Sequence, residues 1–267
     1  MLHYEIQGNS RDSIAFLHGI GGTLRYWKAH VQPLAVNHRL LFVDLLGYGN
    51  SPKPWTTYTV DRHVEEVHQI LHEHGSLTLV GHSFGAIIAL AFAVHYPSLV
   101  KRLVLISLPY FGNKEGAMRY FRNNRPADRY VMTNIAFAAV ACVMTRWVLR
   151  RLLPYVLRDM PREVVEDLVQ HTWRSYTSSV WDGIYRHDLH ADIENLNPNY
   201  PVLFLHGELD KTAPLSGIRQ LMANHPNSEL HILPSGDHHP LLRNPEWCIQ
   251  AIESYLLSGI GFDHELV

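Results

Sequence analysis

Two hydrophobic periodicities alternate along this chain. Short apolar runs rich in Ile, Val, Leu and Phe occur at 13–17, 40–44, 77–80, 102–106, 202–205 and 229–233, with 3–7 as an additional edge strand. Between them, 23–36, 61–73, 84–95 and 245–256 carry apolar residues at helical spacing, several opened by an N-capping residue or a proline in the first turn. Strands separated by crossover-length helices pair in parallel, so the pattern predicts an α/β fold with a mainly parallel, doubly wound central sheet. With 267 residues, 46% hydrophobic and 18% charged, the chain can bury a large core.

The rhythm breaks over 110–198, which holds helix-like segments, prolines at 126, 154 and 161, and no convincing strand. We read 1–109 and 199–267 as the core domain and 110–198 as a helical cap inserted into it. The longest apolar stretch, 131–144, is too short for the ~20 residues of a spanning helix and is expected to form a core or lid helix. From Arg119 to Arg162 the insertion carries nine arginines against two acids, interleaved with Trp147, Leu149, Leu152, Leu153, Tyr155 and Val156. Such a basic amphipathic lid is compatible with weak contact to an anionic membrane surface or with a roof over a hydrophobic acyl chain. A solvated basic face over an ordinary apolar pocket is the plainer alternative.

A net charge of −2 and the lack of any base-reading motif argue against nucleic acid and leave small molecules as the expected partners. Cys142 and Cys248 sit in apolar contexts without metal spacing, which fits buried thiols of a reducing compartment. The first residues enter strand-like alternation with no basic or apolar leader, so the expected address is the cytoplasm. His187-Asp188-Leu189-His190-Ala191-Asp192 resembles a metal cluster superficially, but nothing else completes a ligand set, and a polar turn is the expected reading.

Chemistry is concentrated at Gly81-His82-Ser83-Phe84-Gly85, a G-x-S-x-G pattern between a strand and a helix of small apolar residues. There the serine hydroxyl projects from a tight turn, and flanking glycines remove the Cβ atoms that would collide. The helix N-terminus places backbone N–H groups near developing negative charge. A serine hydroxyl also needs a base, and the base a third group to orient it. Asp210 follows the 202–205 strand and can face the sheet's C-terminal edge, whereas Asp44 runs into Leu45-Leu46-Gly47 and the strand ending at Ile106 has no carboxylate after it. His238 follows the last strand, with His239 as its rival, and the order Ser83, Asp210, His238 suits such a fold. His18, His206 and His82 are expected to have no chemical step. The first two would bond their own loops, and the third would turn away from Ser83.

His18-Gly19-Ile20-Gly21-Gly22, Asp44-Leu45-Leu46-Gly47-Tyr48-Gly49-Asn50-Ser51, the serine turn, the Asp210 loop and the stretch from His238 to Glu246 together resemble the α/β-hydrolase superfamily, in its capped serine-hydrolase branch. Pro240, Pro245 and Glu246 fit the family's register from His238 and not from His239. The resemblance implies an oxyanion site formed by the backbone N–H groups of Ile20 and Phe84, and acyl transfer with no cofactor or metal. It implies hydrolysis of a hydrophobic carboxylic ester, with carbon–carbon bond hydrolysis of ring-cleavage products, acyl transfer or lactone hydrolysis as alternatives. A serine in place of an aspartate at residue 83 argues against the family's dehalogenases and epoxide hydrolases. A non-catalytic ligand receptor on the same scaffold is the reading from another class.

Overall fold

The computed structural model describes residues 1–123, 126–149, 153–156, 162–223, 225 and 227–258. Seven strands form one sheet: β1 (Tyr4–Gln7), β2 (Ser13–Leu17), β3 (Arg39–Val43), β4 (Leu77–His82), β5 (Val100–Ile106), β6 (Val202–Gly207) and β7 (Ser228–Leu233), in the order β1-β3-β2-β4-β5-β6-β7. Only β1 runs antiparallel, with Tyr4 opposite Val43, and every other pair is parallel. The inner strands are buried on both faces, so their residues divide by pleat. Ile14 and Phe16 join one core cluster, and Ala15 and Leu17 join the other.

Helices cover both faces. They begin with α1 (Arg25–Lys28), α2 (Val60–Leu71) and α3 (Phe84–His95). The Thr59 side chain caps α2 by accepting the Arg62 N–H at 3.2 Å, and Val60, Val64, Val67 and Leu71 form its buried face. The single helix expected over 23–36 is not formed: α1 stops at Lys28, and Gln32–Val36 is a separate 3-10 turn. Pro33 is the physical reason, since its ring would strike the carbonyl four residues earlier and it has no N–H to donate.

Between β5 and β6 lie α4 (Lys114–Arg122), α5 (Pro126–Thr133), α6 (Ile135–Met144), a π-helical turn (Thr145–Leu149), α7 (Leu153–Val156), α8 (Arg162–Asp167), α9 (Trp173–Ser178), a second π-helical turn (Ser179–Tyr185) and α10 (Leu189–Asn195). The apolar stretch 131–144 is two helices rather than one, because the Asn134 side chain accepts the Phe137 N–H at 3.0 Å and caps a new start. Ala117, Phe121, Val180 and Tyr185 give the insertion a small core of its own. It is fastened to the sheet and its helices by Leu189, Ile193 and Leu196, which join the larger core cluster, and by polar contacts: Tyr48 Oη donates to Ser179 Oγ at 2.8 Å, Ser175 Oγ to the Gly47 carbonyl at 3.0 Å, and Arg25 Nη1 to Asp167 Oδ1 at 3.0 Å. Of the basic stretch, Arg125, Arg150, Arg151, Leu152, Arg158, Asp159 and Pro161 lie outside the described residues, as do the side chains of Leu149, Val156 and Arg162.

The chain closes with α11 (Leu215–Met222), α12 (Pro240–Arg243) and α13 (Pro245–Leu257). Cys248 is buried and Cys142 partly buried, both as free thiols. Among the described residues no helix is long and apolar enough to cross a membrane.

Candidate active site

Ser83 sits between β4 and α3 with φ 53° and ψ −117°, a conformation that costs a non-glycine residue ~1–3 kcal/mol. The turn is tight on both sides. A Cβ on Gly81 would lie 2.3 Å from the Gly85 carbonyl oxygen, and one on Gly85 would lie 2.2 Å from that of Leu17. The Ser83 N–H is tied to the Ile106 carbonyl at 2.9 Å, fixing the turn to the neighbouring strand and leaving the hydroxyl on the wall of a cavity. Phe84 opens α3, where the first N–H groups have no partner in the helix. Among the described residues neither its N–H nor that of Ile20 has a backbone acceptor. Ile20 occupies the turn closed by the Gly22 N–H on the Gly19 carbonyl at 3.1 Å and lines the same cavity.

The loops after β6 and β7 bring an acid and an imidazole to this hydroxyl. His238 Nε2 lies 2.9 Å from Ser83 Oγ, and His238 Nδ1 lies 2.8 Å from Asp210 Oδ2. Asp210 Oδ1 accepts the N–H groups of Thr212 and Ala213 at 2.8 and 2.9 Å, so the carboxylate is held by both oxygens. Burial pushes the Asp210 pKa up, but His238, its hydrogen bond and the Ala213 amide outweigh this and hold it below the usual carboxylate range. An ionised acid must therefore receive a proton from Nδ1, which leaves Nε2 free to accept that of the serine. The two loops approach closely at Gly207, where a Cβ would lie 2.2 Å from the Asp237 carbonyl oxygen. Asp237 fastens its own turn, accepting the His239 N–H at 2.9 Å and Arg243 Nε at 3.0 Å.

The other histidines divide by their bonds. His18 Nε2 accepts the Leu45 N–H at 3.0 Å while Nδ1 donates to the Gly19 carbonyl at 2.8 Å, and His206 Nε2 donates to the Ala213 carbonyl at 3.0 Å; both brace loops. Among the described residues the His82 side chain makes no hydrogen bond to Ser83, but it stays on the cavity wall. Its Nε2–H donates to the His238 carbonyl at 2.8 Å, and its ring stacks 4.6 Å from that of Tyr26. The sequence holds no signal for this positioning contact, because it spans 156 residues of chain. His239 lines the cavity without meeting Ser83, and burial together with His238 pushes its pKa down to about 3. Asp44 accepts the N–H groups of Leu24 and Asn50 at 2.7 and 2.8 Å and so serves its loop. His187 and Asp192 pair with each other at 2.6 Å at the exit from the insertion.

The cavity holds about 400 Å³, and its walls include Ile20, Phe121, Met132, Leu168 and Ile184. His171, from the insertion, also lines it, with Nδ1 buried and unpartnered among the described residues. Burial, reinforced by Arg146 and Lys53, pushes the His171 pKa down to about 4, so it is neutral near pH 7. Chemically, the arrangement is a strained hydroxyl that can pass its proton to an imidazole held by an ionised acid, inside an apolar chamber with free N–H groups nearby.

Comparison with known proteins agrees with this architecture. The chain is 27% identical over 258 residues to the probable lysophospholipase BODYGUARD 1 of Arabidopsis thaliana, covering 86% of this chain and 55% of that protein. It thus spans about half the length of that relative. The uncharacterized protein Rv2715 of Mycobacterium tuberculosis is 27% identical over 274 residues, covering 92% of this chain and 76% of the relative. Among solved structures, E-2-(acetamidomethylene)succinate hydrolase superposes with a TM-score of 0.76 at 20% identity, covering 96% and 94% of the two chains. The enol-lactonase from Burkholderia xenovorans LB400 gives 0.74 at 21% identity, with 96% of each chain covered. The family defined by the α/β-hydrolase fold matches residues 12–245, and the chain belongs to it.

Proposed function

We propose that this protein is a serine hydrolase that cleaves a carboxylic ester with a hydrophobic acyl or alcohol part through an acyl-enzyme on Ser83. The observation that carries this reading is the unbroken hydrogen-bonded series Ser83–His238–Asp210 on the wall of an apolar cavity. His238 Nε2 takes the hydroxyl proton as Ser83 Oγ attacks the carbonyl carbon, and the oxyanion meets the N–H groups of Ile20 and Phe84. The imidazolium then protonates the leaving alkoxide. Water, activated by the same imidazole, cleaves the acyl-enzyme and restores the serine. Asp210 stays ionised throughout, holding the ring in one tautomer and stabilising its charge. Each oxyanion donor contributes ~2.7–4 kcal/mol in sites of this kind. The apolar walls favour a fatty acyl or alkyl group, and the likeness to probable lysophospholipases favours an ester derived from lipid.

A fluorophosphonate probe, run beside p-nitrophenyl esters of rising chain length and a ring-cleavage dienoate, tests the reading. Modification of Ser83, abolished by Ser83→Ala, together with ester turnover, is expected. Faster turnover of the dienoate would move the reaction to carbon–carbon cleavage, and an inert Ser83 with intact ligand binding would point to a receptor.

A further inference from the structure

A second cleft, about 190 Å³ in volume, opens on the insertion, and its lining brings together Lys53, Arg146, Arg174, Trp55, Trp147 and Trp173. Among the described residues no carboxylate lines it and none of the three cations is ion-paired. Lys53 Nζ donates to the carbonyls of Gly49 and Ser51, and Arg146 Nη1 to that of His171 at 3.1 Å. The guanidinium of Arg174 stacks 3.5 Å over the Trp55 ring, and its Nε has no partner among the described residues. Three positive side chains gathered with no carboxylate among the cleft's described walls repel one another, the buried Asp44 acting on Lys53 from outside the cleft. Burial, followed by Arg146, lowers the Lys53 pKa, with Asp44 offsetting part of the effect. The arrangement is complementary to an anion that bears several acceptor oxygens.

The cleft adjoins an uncovered apolar face. On α6 and the turn after it, Ile135, Val140, Val143 and Met144 are exposed beside Trp147, with Val140 61% and Trp147 77% open. A ten-residue helix is about 15 Å long, too short to cross a hydrocarbon core of about 30 Å but suited to lying in the plane of an interface. Tryptophan prefers the headgroup level, and Trp55, 78% exposed, stands at the mouth of the cleft with the other two. A second copy of the chain is a poor occupant, because a two-fold contact would set these cations against their own copies.

We propose that this face docks on an anionic lipid surface, with a headgroup phosphate held among Lys53, Arg146 and Arg174 and the exposed side chains of α6 sunk into the outer acyl layer. The docked face adjoins the wall of the larger cavity at His171 and does not depend on which bond is cleaved there.

The test is flotation of the full chain with vesicles of phosphatidylcholine alone, or of two parts phosphatidylcholine to one part phosphatidylglycerol. Co-flotation with the anionic vesicles is expected, declining as salt is raised. Arg174→Gln should weaken partitioning about fivefold, and the Val140→Ser, Trp147→Ser double variant should weaken it with either vesicle. Turnover of a short, water-soluble ester should be unchanged in these variants and reports their folding. If a variant does not fold, the salt titration of the unmodified protein decides. Equal flotation with both vesicles, or none with either, would overturn the proposal. Saturable binding of inorganic phosphate without flotation would overturn it in favour of a soluble anion.

Discussion

Replacing Asp210 by asparagine probes the relay, because the acid's two oxygens have different duties. Oδ1 accepts the Thr212 and Ala213 N–H groups at 2.8 and 2.9 Å, and Oδ2 accepts His238 Nδ1–H at 2.8 Å. Asparagine can enter this space in two orientations. With its carbonyl toward the two amides, its NH2 faces His238, so Nδ1 must become the acceptor. The ring proton then moves to Nε2, which points at Ser83 and can no longer receive its proton. With the carbonyl toward His238, the NH2 instead faces two backbone donors and leaves them buried and unsatisfied, at ~1–3 kcal/mol for each such group. Two penalties of that size, ~2–6 kcal/mol together, leave the competent tautomer in roughly one molecule in thirty to one in twenty-five thousand. Loss of the charge that stabilises the imidazolium adds to this, and in comparable relays the full effect on turnover is ~10⁴-fold, or ~5.5 kcal/mol. Steady-state kinetics of Asp210→Asn on a soluble p-nitrophenyl ester should therefore show kcat lowered by about that factor with KM little changed. Turnover within about tenfold of the unmodified protein would refute the reasoning and move the orienting acid elsewhere.

The two adjacent histidines should separate cleanly: His238→Ala removes nearly all ester turnover, whereas His239→Ala retains most of it, and the reverse result in the same assay would reassign the base. Gly85→Ala forces a Cβ to 2.2 Å from the Leu17 carbonyl oxygen, so a loss of several kcal/mol in urea unfolding or failure to fold is expected. Burial pushes the pKa of His63 and His239 down to about 3 and that of His171 to about 4. Each binds its proton more readily unfolded, so stability is full above about pH 6.5 and falls as pH drops toward those values. Between pH 7 and pH 5 the cost is roughly 2 kcal/mol per group, read as a lower urea midpoint at pH 5; an unchanged midpoint would show that these rings are not buried as neutral groups.

Much of the sheet is readable from residue type because its strands are buried on both faces and form compact apolar runs; β2 and α3 match their expected limits. What the pattern leaves out has identifiable causes. The segment 23–36 keeps its apolar spacing through Trp27, Val31 and Leu34, all buried, while Pro33 breaks the backbone. The helix α11 escapes detection because Gly217 weakens its signal, yet that glycine is required: a Cβ there would lie 2.3 Å from the Tyr110 carbonyl oxygen. The meeting point of Ser83, Asp210 and His238 follows from strand ends, since loops at one edge of a parallel sheet converge. The contacts of His82 with the His238 carbonyl and of Asp167 with Arg25 have no such local rule, being made across 156 and 142 residues of chain.

The proposed reaction passes through a covalent ester on Ser83. Rapid mixing with a p-nitrophenyl ester, followed by acid quenching and peptide mass spectrometry, tests it directly. A burst of nitrophenol equal to the amount of protein, with the acyl mass on the peptide that contains Ser83, is the predicted result. Turnover with no burst and an adduct on a different residue would contradict it.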